Sequence, residues 1–336
     1  MLSEEDLLKM NDSYRCLIPL IEKKSVIADP EKFHNLVNVI FHDFESKHYD
    51  ELHREMWESL PQQYELLIND IEPHVQNTAN LKLLDVGCGT GLATELLLKT
   101  KLGNKISDVH LLDTSAKMLN EALKRSKGWN KQVKTINGLV ADVSDQYDVI
   151  IISSVLHHIP DLADFLNDVS RVQKPGGILI TIHDPNEGAL SSDEYVGRAT
   201  QYEQYMGDAL RKTTLGKRVV SKLKRVLKIP TYLQQINQQL LRESIIKEPL
   251  TDGELWSITD IHVEGLPYST GKGIAKDMMI KNLPGYTLLS YRTYTFFGYM
   301  YSNLDGAYKK QEIELAKKKD PYGRNFCSVW IKETIN

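Results

Sequence analysis

Gly87, Gly89 and Gly91 punctuate the stretch LLDVGCGTGLAT, residues 83–94, between an apolar run and the start of a helical pattern. A glycine turn in that place lets backbone approach a ligand closely. The helix start beyond it offers unpaired amides and the positive end of a dipole, a site suited to a phosphate or a carboxylate. The same residues also suit a tight turn with no ligand. The spacing is G-x-G-x-G, and the sixth position is Leu92, which departs from the G-x-G-x-x-G/A of nicotinamide sites. No G-x-x-x-x-G-K-S/T occurs, so a P-loop is excluded. About 20 residues past the turn, Asp113 closes a second apolar run, where a carboxylate can accept two hydrogen bonds from a ribose diol. Asp113 can equally cap the helix that starts at SAKML, and the two roles are compatible.

A second group of candidates follows the run YDVIIISSV. Ser153 and Ser154 stand at its carboxyl edge, where open α/β sheets bind ligands. His157 and His158 come next, and His183 with Asp184 ends the later run ILITIHDP. Histidine titrates near neutrality and can accept a proton in catalysis. His158 and His183, the latter beside its acid, are therefore the candidate catalytic groups, with His157 behind them. Cys16, Cys88 and Cys327 make no metal-ligand spacing, and no metal is expected.

These residues need elements to position them. Residues 1–80 read as helical: SEEDLLKM opens with Ser3 and acids, PEKFHNLVNVIFHDF starts at Pro30, and a further helical stretch breaks near Pro61. From residue 81 the pattern alternates: strands LKLLDV, DVHLLD, VKTING, YDVIIISSV and ILITIHDP, separated by helices, with KPGG as a turn before the last. Alternation of this kind predicts a parallel sheet covered on both faces. Residues 187–283 read as a mostly helical, polar insertion, and two late strands return at 286–297 and 328–335 around a charged helix. The expected division is 1–80, 81–186, 187–283 and 284–336.

Composition narrows the partners. The chain has 336 residues, 41% hydrophobic and 26% charged, with a net charge of -4, so there is no global pull toward nucleic acid. No run reaches the ~18 apolar residues of a membrane span, and the N-terminus is acidic rather than a signal sequence. An odd number of cysteines fits a reduced, cytoplasmic setting. Residues 211–228 carry eight basic residues and no acid, with an apolar stripe. Such a helix can lie on a membrane surface, lean on an anionic substrate, or simply pack as a solvated lid.

Taken together, LLDVGCGTG, LLDTSAKML, YDVIIISSVLHHI and VQKPGGILIT resemble, in order and spacing, the motifs of class I S-adenosylmethionine-dependent methyltransferases. The resemblance covers residues 81–185, and its flavour is that of the small-molecule group similar to quinone-biosynthesis methyltransferases. It implies a Rossmann-like sheet with helices on both faces, N-terminal helices and a helical cap, ending in an antiparallel strand pair. It also implies S-adenosyl-L-methionine as cofactor. By that resemblance Asp85, Gly87, Cys88, Gly89 and Gly91 hold the methionine end. Asp113 and Thr114 serve the ribose, and Met118 lies beside the adenine or is a plain core residue. Members often carry an acid after the third strand; here Leu139 stands there, so the Leu139–Asp142 loop is the adenine wall and Asp142 the nearest acid. Ser153 and Ser154 complete the cofactor set, with Tyr49, and Tyr64 behind it, from the N-terminal region. Within the family the second histidine of LHHI is commonly structural or lines the cofactor pocket.

The expected function is methyl transfer to O, N or C of a small molecule. The absence of an Asn/Asp-Pro-Pro-aromatic and of a Pro-Cys motif argues against methylation of nucleic-acid bases. An RNA or protein substrate, and a non-catalytic cofactor-binding protein, are the alternatives. Among the aromatic residues of 286–301, Tyr294 can reach the site or fill the core, and the glycine-rich 262–278 segment can act as a hinge.

Overall fold

The computed structural model describes residues 10–47, 49–75, 78–207, 231–269 and 271–334. The basic stretch 211–228 and the first capped turn at SEEDLLKM lie outside them.

In chain order the helices are α1 Asp12–Lys24, α2 Pro30–Glu45, α3 Arg54–Val75, α4 Leu92–Leu98, α5 Ala116–Ser126, α6 Leu162–Val172, α7 at 193–207, α8 Tyr232–Arg242, α9 Asp252–Thr259, α10 Lys276–Asn282 and α11 Gly306–Lys317. The strands are β1 Leu81–Val86, β2 Ile106–Asp113, β3 Gln132–Asn137, β4 Tyr147–Ser153, β5 Gln173–Pro185, β6 Tyr286–Tyr294 and β7 Asn325–Lys332. Among the described residues they form one sheet in the order β3-β2-β1-β4-β5-β7-β6. Strands β1 to β5 pair in parallel, while β7 lies antiparallel between β5 and β6.

The apolar runs make strands because both faces are covered. Val149 and Ile151 of β4 join the cluster under α3 and α4, and Ile150 and Ile152 join the opposite one under α6. A strand buried on both faces reads as a continuous apolar run rather than an alternation. The order reverses between β1 and β4, so the carboxyl ends of those strands open a crevice, the topological switch point where ligands bind.

Two local features differ from the sequence reading. Lys174–Gly177 do not end a separate turn: they bulge within β5, between the pairs Tyr147–Gln173 and Val149–Ile178, with Gly176 at φ 74°. Helix α3 runs straight through Pro61. Proline removes one hydrogen bond and costs about 3 kcal/mol in a helix interior, but Met56, Leu60, Tyr64, Leu67, Ile68 and Ile71 bury one face of α3 against the sheet, and that burial prevails.

The N-terminal helices and the insertion share a third core. Phe33, Val37 and Phe41 of α2 pack with Ile236 and Leu240 of α8 and Leu255 and Ile258 of α9. Beside that core Lys24 pairs with Glu254 at 2.6 Å, both nearly buried, and Lys24 Nζ also donates to the Pro249 carbonyl at 2.7 Å. Segments more than 200 residues apart thus cover the carboxyl edge of the sheet together. No described helix is long and apolar enough to cross a membrane.

Candidate active site

The glycine turn lies over the carboxyl end of β1 with Gly87, Gly89 and Gly91 at φ 64°, 51° and 81°. A β-carbon on Gly87 would come within 2.6 Å of Val155 Cγ2, so the turn must press against the loop after β4. One on Gly89 would meet nothing within 4 Å. That open space faces a cavity of about 470 Å³.

Gly87, Cys88, Gly89, Asp113, Thr114, Met118, Leu139, Ser153, Ser154, Tyr49 and His158 all line this cavity. Asp113 is fixed by its neighbours: Oδ2 accepts the Gly89 amide at 2.9 Å and Oδ1 accepts the Ser115 amide at 2.8 Å. Each carboxylate oxygen retains a further lone pair toward the cavity. Burial raises the Asp113 pKa, against the pull of those two amides. Capping of α5 falls to Ser115 instead, whose Oγ accepts the Met118 amide at 3.1 Å.

Asp85, Gly91, Asp142 and His183 are not among the lining residues. Asp85 is fully buried at the end of β1, where its Oδ2 accepts the Thr94 hydroxyl at 2.6 Å and ties α4 to the turn. Burial lifts its pKa to about 7, and its Oδ1 has no partner. Gly91 faces away from the cavity, because a β-carbon there would meet Trp129 and Ala122; its place is a close helix contact. Asp142 accepts the Leu139 amide at 2.9 Å, shaping the loop rather than walling it. Tyr64 is buried in the core with its hydroxyl unpartnered.

The N-terminal region supplies residues that no sequence motif marked. Asp43 accepts the Ser115 hydroxyl at 2.6 Å and pairs with Lys117 at 3.0 Å. Asp50 accepts the Thr90 hydroxyl at 3.1 Å and pairs with Arg125, whose guanidinium stacks 4.8 Å from the Trp57 ring. These carboxylates strap the helical segment onto the turns after β1 and β2.

A second cavity of about 280 Å³ adjoins the first, and Ser154 lines both. His157, His183, Asp260, Thr295 and Arg324 line it. His157 Nδ1 lies 2.8 Å from Asp184 Oδ1, and its Nε2 lies 3.4 Å from Asp260 Oδ1. Burial opposes charge on His157, but the hydrogen bond and charge of Asp184 outweigh it and raise the pKa. His158 is pushed well down by burial and by His157 and His42. His183 is held near 3 by burial, and its Nδ1 lies 2.8 Å from the Tyr294 hydroxyl. Tyr294 is buried in the core and lines neither cavity. An uncharged His183 beside a phenol is a hydrogen-bonding group, whereas His157 has the acid-held arrangement that sequence assigned to His183 and Asp184. The neighbour in sequence is not the neighbour in space: successive residues of a strand point to opposite sides, and at the bulge between Ile182 and Asp184, where His183 is left-handed, the Asp184 carboxylate turns to His157 instead.

Strain gathers at the same place. Ser154, His183 and Thr295 adopt φ of 59°, 70° and 65°, and all three line the second cavity. Non-glycine residues in this region cost on the order of 1–3 kcal/mol and concentrate at functional sites.

Comparison with known proteins finds similarity to methyltransferases. A family model described as a methyltransferase domain matches residues 84–179. The ubiquinone biosynthesis O-methyltransferase of Leptothrix cholodnii is 31% identical over 114 residues, which are 33% of this chain and 48% of that protein. The human mitochondrial ubiquinone biosynthesis O-methyltransferase is 31% identical over 103 residues, 30% of this chain and 27% of that one. The chain therefore spans about half the length, or less, of these curated relatives. A putative sarcosine dimethylglycine methyltransferase from Galdieria sulphuraria aligns over 81% of this chain and 85% of its own, with 13% identity and a TM-score of 0.45.

Proposed function

We propose that this chain, which belongs to the class I S-adenosylmethionine-dependent methyltransferases, transfers a methyl group from that cofactor to O, N or C of a small molecule. The observation that carries the reading is the first cavity at the switch point of the sheet, with Asp113 locked between the Gly89 and Ser115 amides and still able to accept a diol. The site fits the cofactor in shape and donor set. There is free space over Gly89, a carboxylate at the end of β2, and an apolar slot between Met118 and Leu139 for an adenine.

When bound, the cofactor supplies an electrophilic methyl on a sulfonium. The chain's part is placement. Gly87 and Gly89 let main chain come close to the methionine moiety, Asp113 holds the ribose, and the Leu139–Asp142 loop backs the adenine. An acceptor held in the second cavity would reach the methyl past Ser154, which lines both cavities, and transfer would require its nucleophile about 3 Å away and in line. His157, held by Asp184, is the group placed to take a proton where the acceptor must lose one. The shared core of N-terminal helices and insertion closes the site from water.

The test is calorimetric titration with S-adenosylmethionine, S-adenosylhomocysteine and NADH, repeated on Asp113→Ala. Micromolar binding of the first two is expected, weakened at least about 100-fold in the variant through loss of charge-assisted hydrogen bonds. Tighter binding of NADH, or no binding by folded protein, overturns the reading. Turnover of a screened small-molecule panel, against RNA and protein controls, then separates the substrate classes.

A further inference from the structure

Where the two cavities meet, a ring nitrogen of His157, one of His158 and a carboxylate oxygen of Asp260 lie within 4.8 Å of one another. Each imidazole is oriented from behind. His157 Nδ1 bonds the buried Asp184 carboxylate at 2.8 Å, and the His157 backbone amide reaches the same oxygen at 3.2 Å. His158 Nδ1 bonds the Thr259 carbonyl; a carbonyl only accepts, so that nitrogen carries the hydrogen. Asp260 is itself steadied by the Thr259 hydroxyl at 3.0 Å. A carboxylate or carbonyl behind each histidine, fixing tautomer and ring, is the arrangement that supports metal-binding histidines. Asp184 Oδ2 is fully buried and has no hydrogen-bond partner among the described residues. His157 Nε2 and Asp260 Oδ1 face each other at 3.4 Å, two electron-pair donors with only a proton or a cation to reconcile them. His158 and Asp260 are half-buried and His157 is buried, and the group borders the first cavity at His158 and the second at His157 and Asp260.

We propose that His157, His158 and Asp260 bind one divalent first-row transition-metal ion at the junction of the two cavities. Two imidazoles and one carboxylate suit zinc, iron or cobalt rather than magnesium, which prefers an all-oxygen set. Three protein ligands leave coordination positions open for oxygen atoms of a molecule in the second cavity. On the methyltransferase reading, and only on it, such an ion would occupy His157 Nε2 and replace that imidazole as the group easing loss of the acceptor's proton, by lowering the pKa of an acceptor hydroxyl lying next to the methyl group. The ligands come from the turn after β4 and from the insertion, about 100 residues apart, which is why no spacing in the sequence displays them.

The experiment uses the full chain, stripped with chelator and titrated by calorimetry with Zn²⁺ and Co²⁺, with Mg²⁺ as control. The Co²⁺ absorption spectrum reports its coordination. One equivalent should bind with micromolar affinity or better, Mg²⁺ at least 100-fold more weakly. Asp260→Ala should weaken binding at least 100-fold. Asp184→Asn, which leaves all three ligands in place, should weaken it 10- to 100-fold. S-adenosylhomocysteine binding, measured on the same samples, should persist in Asp260→Ala and shows that the variant is folded. No saturable binding by protein that still binds S-adenosylhomocysteine overturns the metal site and leaves a proton between His157 and Asp260. Binding that Asp260→Ala leaves unchanged also overturns it, by placing the ion elsewhere. Neither result touches the cofactor reading, which stands or falls on the S-adenosylhomocysteine titration.

Discussion

The two cavities share Ser154 and one sheet edge, yet they are made of different material. Around the glycine turn the first is walled by main chain and apolar side chains, the turn itself, the Leu139–Ala141 loop and Met118, with Asp113 held there by two amides; His34, His42, His158 and Asp161 line it elsewhere. The second is walled by side chains that titrate or donate: His157, His183, Asp260 and Arg324. Its non-glycine backbone is forced into the left-handed region at three places, whereas the first cavity uses glycines wherever φ turns positive in its turn. Main-chain amides recognise a ligand's shape and charge with little dependence on side-chain identity, so such a wall suits a ligand common to many proteins. A wall of imidazoles and carboxylates, to which an insertion contributes Asp260, suits a partner specific to this chain.

The sharpest way to break that contrast is Gly87→Val. At φ 64° with a β-carbon 2.6 Å from Val155, the substitution adds backbone strain to a clash. Stability should fall by about 2–4 kcal/mol in urea unfolding, and S-adenosylhomocysteine binding should drop more than about 100-fold. Cation binding at His157 and Asp260 should survive in the folded fraction. Wild-type affinity in this variant would mean that the turn does not cradle the ligand.

The first cavity was legible in the sequence because its parts are contiguous. LLDVGCGTG fixes a strand, a turn and a helix start in one run, and Asp113 closes the next strand. Strand identities came through for the same reason, since β1, β2, β4 and β5 are apolar runs buried on both faces. What was not legible depends on long-range pairing. Asp43 and Asp50 are ordinary helix-surface acids in sequence, and only the folding of α2, and of the short helix Tyr49–Leu52 that follows it, over α5 brings them to Ser115 and Arg125. Asp260 follows α9 with no motif around it. The histidine held by Asp184 proved to be His157, since β4 and β5 lie side by side in the sheet. Gly91 carries the motif's spacing but serves the Trp129 contact. Spacing alone does not say which face of a turn a glycine relieves.

A smaller effect tests what holds the second cavity in shape. Glu312 of α11 is buried and accepts the amides of Thr295 at 2.5 Å and Phe296 at 3.0 Å, pinning the left-handed turn after β6. Burial raises its pKa from 4.5 to about 7 against the pull of those amides. The folded state therefore retains a proton that the unfolded chain has already released between pH 4.5 and 7. Stability contributed by this group is complete below that window and declines through it as pH rises, by up to about 3 kcal/mol. Glu312→Gln keeps an amide acceptor and abolishes the titration. The difference in unfolding free energy between wild type and variant should thus slope across pH 4.5–7 and be flat above it. A difference that does not vary with pH would mean that Glu312 titrates as an ordinary exposed acid, and the second cavity would lose its buried anchor.

The smallest effect is expected at the residue that both cavities own. Ser154 sits at φ 59° with its amide donated to the Ile182 carbonyl at 2.8 Å, so the main chain is held and the conformation is imposed. Glycine adopts that conformation without the β-carbon penalty and keeps the amide. Relief of the left-handed strain, less the entropy that glycine adds to the unfolded chain, leaves Ser154→Gly more stable by about 0.5–1 kcal/mol. For a chain of this size that raises the melting temperature by about 2 °C. If the strain is tolerated because the serine side chain serves ligands on both sides, S-adenosylhomocysteine affinity should fall severalfold while stability rises. A gain in stability with unchanged affinity would separate the strain from binding, and Ser154 would then mark only where the wall of one cavity becomes the wall of the other.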